Sequence, residues 1–510
     1  MPEFKSLFQI LFQILFFVSL CPGLFGQQAG GSPDSGGDRV PSQPSRGHDP
    51  KSQHGQHGQH GPLGSFQLKV PQHSYDLILN RPERDRIGLS ILAYEDLEGF
   101  LTYQPEKGSP VVKTVQQSFL NGTPVEVPLE KLSPDTSYVY QFHYRKLGAA
   151  EFTVSPVFSF HTARLPGKSF RFTLTADAHL DEHTSPEVYL KTLENIRAEK
   201  PDLHIDLGNL FMTDKHPNRE EMAKQYLAER YYMSLIGHSI PLFLVLGTHD
   251  GEGAKNNDGS TNCLAAWAND IRERYFLNPT PDDFYSGNQI SRPNSVPSQN
   301  YYSWEWGDAL FVVLDPFGYS ESQRGGGREG WGWSLGKTQY DWLKKTLSES
   351  KASYKFVFIH NMLSGDQATR GGVEIAGFNE WGGKNKDGSD GFRNHRPGWP
   401  EPVHKLFQEN HVTVLFRAHD NFYARQNLDG ITYLMVPQPS FAGDDRIRDL
   451  QNYGYKDGTF LGNSGHVLVT VTPEGIKTDY VRTLLSTAET PEKKNGMVAD
   501  HAEISPGAIP

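Results

Sequence analysis

The chain has 510 residues, of which 36% are hydrophobic and 12% aromatic, and a formal net charge of −11 at neutral pH. That length holds two or three domains of ordinary size and excludes a peptide, a fibre or a repeat array. The acidic balance argues against nucleic-acid binding driven by bulk positive charge, and 50 Gly and 34 Pro beside 30 Phe and 22 Tyr argue for β-rich domains with long loops rather than a helical bundle.

The first 26 residues carry one cation, Lys5, ahead of an apolar run from Leu7 to Leu20 broken by Gln9, Gln13 and Ser19. This is the pattern of a signal peptide, and the run is short for a membrane span. The expected mature chain is secreted or periplasmic, without a transmembrane span; an N-terminal anchor is the alternative. Leu20 is bulky where a lipoprotein signal ahead of Cys21 wants a small residue. Cleavage leaves Cys263 as the only cysteine of the mature chain, so no intrachain disulfide forms. Residues 27–65 are rich in Gly, Ser, Pro and His and hold too few large apolar groups to offset the entropy of ordering, which predicts a flexible linker. Within it His54, His57 and His60 recur every third residue, as plain linker or as a weak chelate for a transition metal.

Residues 66–163 predict a small all-β sandwich. Short β-type runs at Asp76–Leu79, Ile87–Ala93, Val111–Val115, Ser137–Tyr144 and Val157–Thr162 alternate with Pro, Gly and Asn turns. Leu132, Pro134, Thr136, Tyr138 and Tyr140 form an L-x-P-x-T-x-Y-x-Y pattern that resembles the tyrosine-corner strand of fibronectin type III-like domains.

From 168 to 486 the pattern changes to apolar β-runs alternating with helical stretches near 186–199, 219–236, 337–350 and 402–410. That predicts an α/β domain whose strands are buried on both faces. The tail from 487 to 510 reads as disordered. In open α/β sheets ligands bind beyond the carboxyl ends of strands. Those ends carry Asp177 and His179; Gly208 and Asn209; Thr248, His249 and Asp250; His360; and His419 with Asn421. Imidazoles, carboxylates and amides converging from five strands suit a Mn, Fe or Zn ion.

The order and spacing resemble the calcineurin-like metallophosphoesterase family, of the purple-acid-phosphatase type with a fibronectin-like domain ahead. The resemblance implies a metallophosphoesterase-type β-sandwich core flanked by helices, and hydrolysis of phosphoric esters or anhydrides. It would place Asp177, His179, Asn209 and Asn421 around one metal and Asn209, Thr248, His360 and His419 around a second. His249 would contact the phosphoryl group or leaving oxygen, oriented by Asp250.

Three of these positions depart from the family pattern. Asn209 stands for the bridging Asp, Thr248 for the Asn of G-N-H, and Asn421 for the last His. Two dications about 3.5 Å apart repel by about 19 kcal/mol at an effective dielectric of about 20, and bridging anions offset that repulsion. A neutral amide at 209 removes one of them. One tight metal is therefore expected rather than two, with reduced hydrolysis; the alternative is a catalytically silent fold that binds a ligand or a surface partner. The expected substrate is a small phosphorylated molecule. Long Gly/Trp/Arg-rich loops at 320–333 and 367–399 read as lids over the strand ends, with Arg324, Arg328, Arg370 and Lys384 as candidate anion contacts and Trp381 as a stacking residue.

Overall fold

The computed structural model describes residues 68–505 apart from 181–183, 217, 291–297, 321–329, 366–368, 444–445 and 448. The expected signal peptide, the expected linker with His54, His57 and His60, and Arg324 and Arg328 lie outside the described residues.

The N-terminal strands are β1 (Tyr75–Asn80), β2 (Arg86–Ala93), β3 (Leu97–Pro105), β4 (Val112–Lys113), β5 (Gln117–Phe119), β6 (Val125–Glu130), β7 (Ser137–Lys146), β8 (Thr153–Val154) and β9 (Phe158–His161). β1, β2 and β6 make one sheet, the rest another, and both bury side chains such as Leu79, Leu89, Leu101 and Phe142 in one core. The backbone N–H of Ser133 donates to Tyr138 Oη at 2.8 Å, a contact of tyrosine-corner type. Four strands, β3, β5, β6 and β8, were not expected from the sequence. β3 contains Gly99, and β6 contains Pro128, which an edge strand tolerates because one of its sides needs no N–H donors.

The sandwich is packed onto the second domain. Ile78 and Leu92 pack with Tyr232, Met233 and Ile236 of that domain, its buried Arg230 donates to the Ser90 carbonyl at 3.1 Å, and its Tyr285 Oη donates to the Pro82 carbonyl at 2.6 Å.

This second domain runs β10 (Phe170–Thr175), α1 (Pro186–Glu199), β11 (Leu203–Asp206), α2 (Arg219–Gly237), β12 (Leu242–Leu244), α3 (Leu264–Tyr275), β13 (Ser286–Gly287), β14 (Tyr302–Trp306), β15 (Ala309–Val313), α4 (Lys337–Glu349) and β16 (Tyr354–Phe358). It continues with the short α5 (Asn379–Gly382) and α6 (Phe392–His395), then α7 (Val403–Glu409), β17 (Val414–Arg417), β18 (Tyr423–Leu428), β19 (Ile431–Met435), β20 (Thr459–Leu461), β21 (Gly465–Thr472), β22 (Gly475–Arg482) and β23 (Val498–Ile504). Two mixed sheets result, in the orders β12-β11-β10-β21-β22-β23 and β13-β14-β15-β16-β17-β19-β18-β20. Phe172, Phe311, Phe356, Phe358 and Phe416 fill the space between them. Along β15, Phe311 and Val313 face that core while Leu310 and Val312 face Leu343 of α4, so the run is apolar throughout because both of its faces are covered. Helices α1 to α3 cover the other sheet. α1 starts where Ser185 accepts the Val188 N–H and Pro186 occupies the first turn, whose N–H needs no partner. Among the described residues no helix is long and apolar enough to cross a membrane.

The expected disorder of the 487–510 tail is corrected over its described residues, 487–505. β23 pairs with β22, and Asp500 ties it down by accepting from Tyr423 Oη at 2.7 Å and Arg425 Nε at 2.7 Å. Even so, a polar stretch such as VADHAEI forms an edge strand when its side chains find such partners.

A buried histidine makes stability pH-dependent. His204 on β11 lies between the hydroxyls of Thr173 and Thr175, each 2.9 Å from a ring nitrogen. Burial, helped by His466, pushes its pKa down to about 3. The unfolded chain therefore binds one more proton between about 6.5 and about 3, so this contribution is complete above that window and is lost as pH falls through it. His204→Gln should flatten the acid-side slope of unfolding free energy by up to about 1.4 kcal/mol per pH unit, measured by urea unfolding between pH 7 and 4. An unchanged slope would show that His204 is not the titrating group.

Candidate functional site

The parallel strands β10, β11 and β12 of one sheet and β16 and β17 of the other end beside each other. Their terminal loops interlock through backbone bonds, Asp177 N–H to the Gly208 carbonyl at 2.9 Å, His179 N–H to the Asn209 carbonyl at 3.0 Å and Ala418 N–H to the His360 carbonyl at 2.8 Å. Asp177, His179, Asn209, His419 and Asn421 all hold positive φ, between 48° and 85°. Left-handed backbone costs a non-glycine residue about 1–3 kcal/mol, and its clustering at strand ends marks a site that the surrounding structure over-determines.

Asp177 is fully buried at the centre. Its Oδ2 accepts the His419 N–H at 3.0 Å, and its Oδ1 lies 2.9 Å from Asn209 Nδ2, 3.2 Å from His179 Nε2 and 3.9 Å from His360 Nε2. Burial pushes its pKa up, but the charges of His360 and His179 and the His419 N–H outweigh it and hold the carboxyl well below the usual carboxylate range. His360 donates from Nδ1 to the Leu207 carbonyl at 2.7 Å, which leaves Nε2 as an acceptor facing the pocket. Burial holds its pKa down to about 4.

The orientation of the Asn209 amide follows from an unambiguous donor. The His249 backbone N–H donates to Asn209 Oδ1 at 2.8 Å, so Nδ2 points the other way, to Asp177 Oδ1 at 2.9 Å and His360 Nε2 at 3.1 Å. Two N–H groups thus occupy the space where a bridging carboxylate would offer lone pairs. Thr248 Oγ1 lies 3.2 Å from the same nitrogen.

The expected pairing of His249 with Asp250 is corrected. His249 Nδ1 donates instead to Asp214 Oδ1 at 2.8 Å, and Lys255 Nζ pairs with the other oxygen of Asp214. Burial raises the Asp214 pKa, yet His249 and Lys255 prevail and bring it down to about 2. Asp250 has another task. It is buried and accepts the backbone N–H groups of Gly247 at 2.7 Å, Asn209 at 3.0 Å and Phe211 at 3.0 Å, clamping two strand-end loops together; burial pushes its pKa up to about 7 against those bonds. Asp214 carried no role in the sequence reading. Its only signal there was an acid five residues beyond Asn209 in the same loop.

The expected substrate contacts divide. Arg370 reaches the strand ends, donating to the His419 carbonyl and lying 3.6 Å from Asp420 Oδ1. Trp381 does not stack on a ligand: it is fully buried, donates to Tyr433 Oη at 3.1 Å and packs on Phe407. Lys384 is exposed and forms β-bridges with Phe378 and Asp390, its carbonyl accepting the Asn379 N–H at 2.8 Å. The described parts of the two long loops are packed together rather than free, because Arg396 donates to the carbonyls of Trp331 and Trp333, both at 2.8 Å, and pairs with the buried Glu380.

Among the described residues no group of three or more His, Cys, Asp and Glu stands together as a metal site. An amide must complete any set. Asn421 supplies one: its Oδ1 is buried with no hydrogen-bond partner, two residues past the His419 whose N–H is bonded to Asp177. Asp177, His179 and Asn421 therefore fit one dication by donor chemistry. The side between Asp177 and His360 does not fit a second, since turning Asn209 to offer oxygen there would strand the His249 N–H, at about 1–3 kcal/mol.

Comparison of the sequence with curated proteins gives no match. In fold the chain is similar to the solved structure of PhoD, with a TM-score of 0.59, 16% identity, and 86% of this chain and 90% of that chain covered. It is also similar to a purple acid phosphatase isolated from yellow lupin (Lupinus luteus) seeds, with a TM-score of 0.56, 15% identity, and 84% and 74% covered. The model of the calcineurin-like phosphoesterase family matches residues 170–423, a span that contains every strand-end residue described above. Through that domain the chain belongs to the calcineurin-like phosphoesterase family.

Proposed function

We propose that the chain is an exported, metal-assisted hydrolase of phosphoric esters or anhydrides that works with one tightly held Mn, Fe or Zn ion, more slowly than a two-metal site would. The observation that carries this reading is the His249–Asp214 pair, set beside the ionised Asp177 and its His179 neighbour, with ring centroids of His179 and His249 6.1 Å apart. Asp177, His179 and Asn421 would hold the ion, which when bound supplies Lewis acidity and activates water for attack on phosphorus. The rest falls to the chain. Asp214 accepts the Nδ1–H of His249 and its charge favours the imidazolium form, in which Nε2 also carries a proton and gives it to the leaving oxygen. Arg370, beside the His419 carbonyl, supplies positive charge toward a phosphoryl group. Asn209, itself anchored on His360 Nε2, donates to the Asp177 carboxylate and holds it in place.

A second reading, ligand binding without turnover in the same pocket, is favoured by the Asn209 amide, whose donors tie Asp177 to His360 with no ion between them. Metal content separates the two. In the mature chain carrying His54→Gln, His57→Gln and His60→Gln, elemental mass spectrometry should find one equivalent after loading with Mn or Zn, and Asp177→Ala should abolish it. No metal in the parent would sink the hydrolase reading; two equivalents would sink the argument from Asn209.

A further inference from the structure

A cavity of about 300 Å³ opens beside the strand ends, with Arg370, Ile375, Phe378, Lys386, Asn452 and Tyr453 in its lining. Its walls come from two connections, the one that leaves β16 just past His360 and the one between β19 and β20. The aliphatic Ile375 and the rings of Phe378 and Tyr453 give it an apolar body, whereas its cations are Arg370 and Lys386.

Arg370 belongs to both places. Its guanidinium lies 5.3 Å from the centre of the Tyr453 ring, which it covers, and it donates to the carbonyl of His419. Nearby, the buried Asp420 is shared between two guanidiniums, 3.6 Å from Arg370 and 3.4 Å from Arg417, and its Oδ2 also accepts from Tyr455 Oη at 2.6 Å and the Gly371 N–H at 3.0 Å. One carboxylate facing two permanent cations leaves positive charge at the boundary between the cavity and the strand ends. That boundary suits an anionic group, and the cavity behind it does not.

We infer that this cavity receives the organic part of the substrate, an aromatic or compact aliphatic group, while the phosphoryl end lies across Arg370 toward His419. The substrate class is thus an aryl or alkyl phosphoric ester rather than a free nucleotide sugar or a polyphosphate, whose organic and charged parts carry too many polar groups for walls of Ile375, Phe378 and Tyr453. Size agrees: a cavity of about 150 Å³ holds one benzene ring, so this one accommodates one or two fused rings. The assignment of the phosphoryl end rests on the proposed hydrolase reading; the apolar selectivity of the cavity does not.

The test is calorimetric titration of the full mature chain with 1-naphthylphosphonate and methylphosphonate, neither of which is hydrolysed. The naphthyl compound should bind at least about 30-fold more tightly, since it alone buries a ring system. Asn452→Trp, at an exposed loop position, fills the cavity, and Tyr453→Ala removes a wall; each should cut that ratio below about fivefold. Arg370→Ala should weaken both compounds together. Equal affinity for the two compounds, or binding of neither, overturns the inference, as does a ratio that survives both cavity variants. A ratio that behaves as expected while 1-naphthyl phosphate is never turned over keeps the cavity assignment and overturns the hydrolase reading instead.

Discussion

The combined substitutions Asn209→Asp, Thr248→Asn and Asn421→His should add a second metal equivalent and raise phosphoester turnover on the order of 10²- to 10³-fold. The largest share belongs to position 209. Its Oδ1 already accepts the His249 N–H at 2.8 Å, and a carboxylate keeps that bond. What changes is the opposite edge: the two N–H groups now aimed at Asp177 Oδ1 and His360 Nε2 become lone pairs, and a dication between them gains a bridging anion. Without metal the same change is harmful. Two buried carboxylates then face each other about where a 2.9 Å hydrogen bond stood, at a cost on the order of 3 kcal/mol. The metal-free variant should therefore melt below the parent and regain its stability on adding Mn or Zn, whereas the parent responds only to its single ion. A variant that folds, still binds one equivalent and gains no turnover would show that Asn209 is not what limits the site.

Much of the site was legible because of where its residues stand rather than what they are. Asp177, Asn209, Thr248, His360 and His419 each stand two to four residues past the end of a buried strand, where such a sheet places its ligand-binding edge. What escaped is direction. In the tight turn from Gly247 to Asp250 two adjacent side chains leave on opposite sides, and three converging backbone N–H groups draw Asp250 inward while His249 turns toward Asp214 in another loop. Spacing alone does not carry that choice. Trp381 misled for a related reason: Gly and charged neighbours suggest exposure, yet Tyr433, from a strand 52 residues away, gives its indole N–H a buried acceptor. Among the helices, α1 was readable from its Ser185 cap and apolar face, but α3 was not, because it buries Arg272, whose partner Glu252 lies outside the helix. A charge paired across 20 residues looks like a solvated one in the sequence.

Asp214 and Asp250 should separate cleanly when each is replaced by Asn, because one acts on a proton and the other on the backbone. Asp214→Asn keeps the shape of the pair but removes the charge that stabilises the His249 imidazolium, the form whose Nε2 holds a proton to give. Turnover of alkyl phosphates, whose alkoxide leaves only if protonated, should fall about 10²- to 10⁴-fold, while a nitrophenyl ester, whose anion leaves unaided, should lose far less. Lys255 keeps an oxygen to bind in the variant, so the loop should stay folded. Asp250→Asn has the reverse signature. An amide offers one oxygen where Asp250 uses two, and its NH₂ must point at backbone donors from Gly247, Asn209 or Phe211. Leaving such buried groups unmatched should cost on the order of 2–4 kcal/mol of stability, read by urea unfolding, with both ester classes losing activity in step as the strand-end loops loosen. If Asp214→Asn instead lowered both esters equally, His249 would be positioning the phosphoryl group rather than delivering a proton; if Asp250→Asn showed the leaving-group dependence, a pairing of His249 with Asp250 would be the one that operates during turnover.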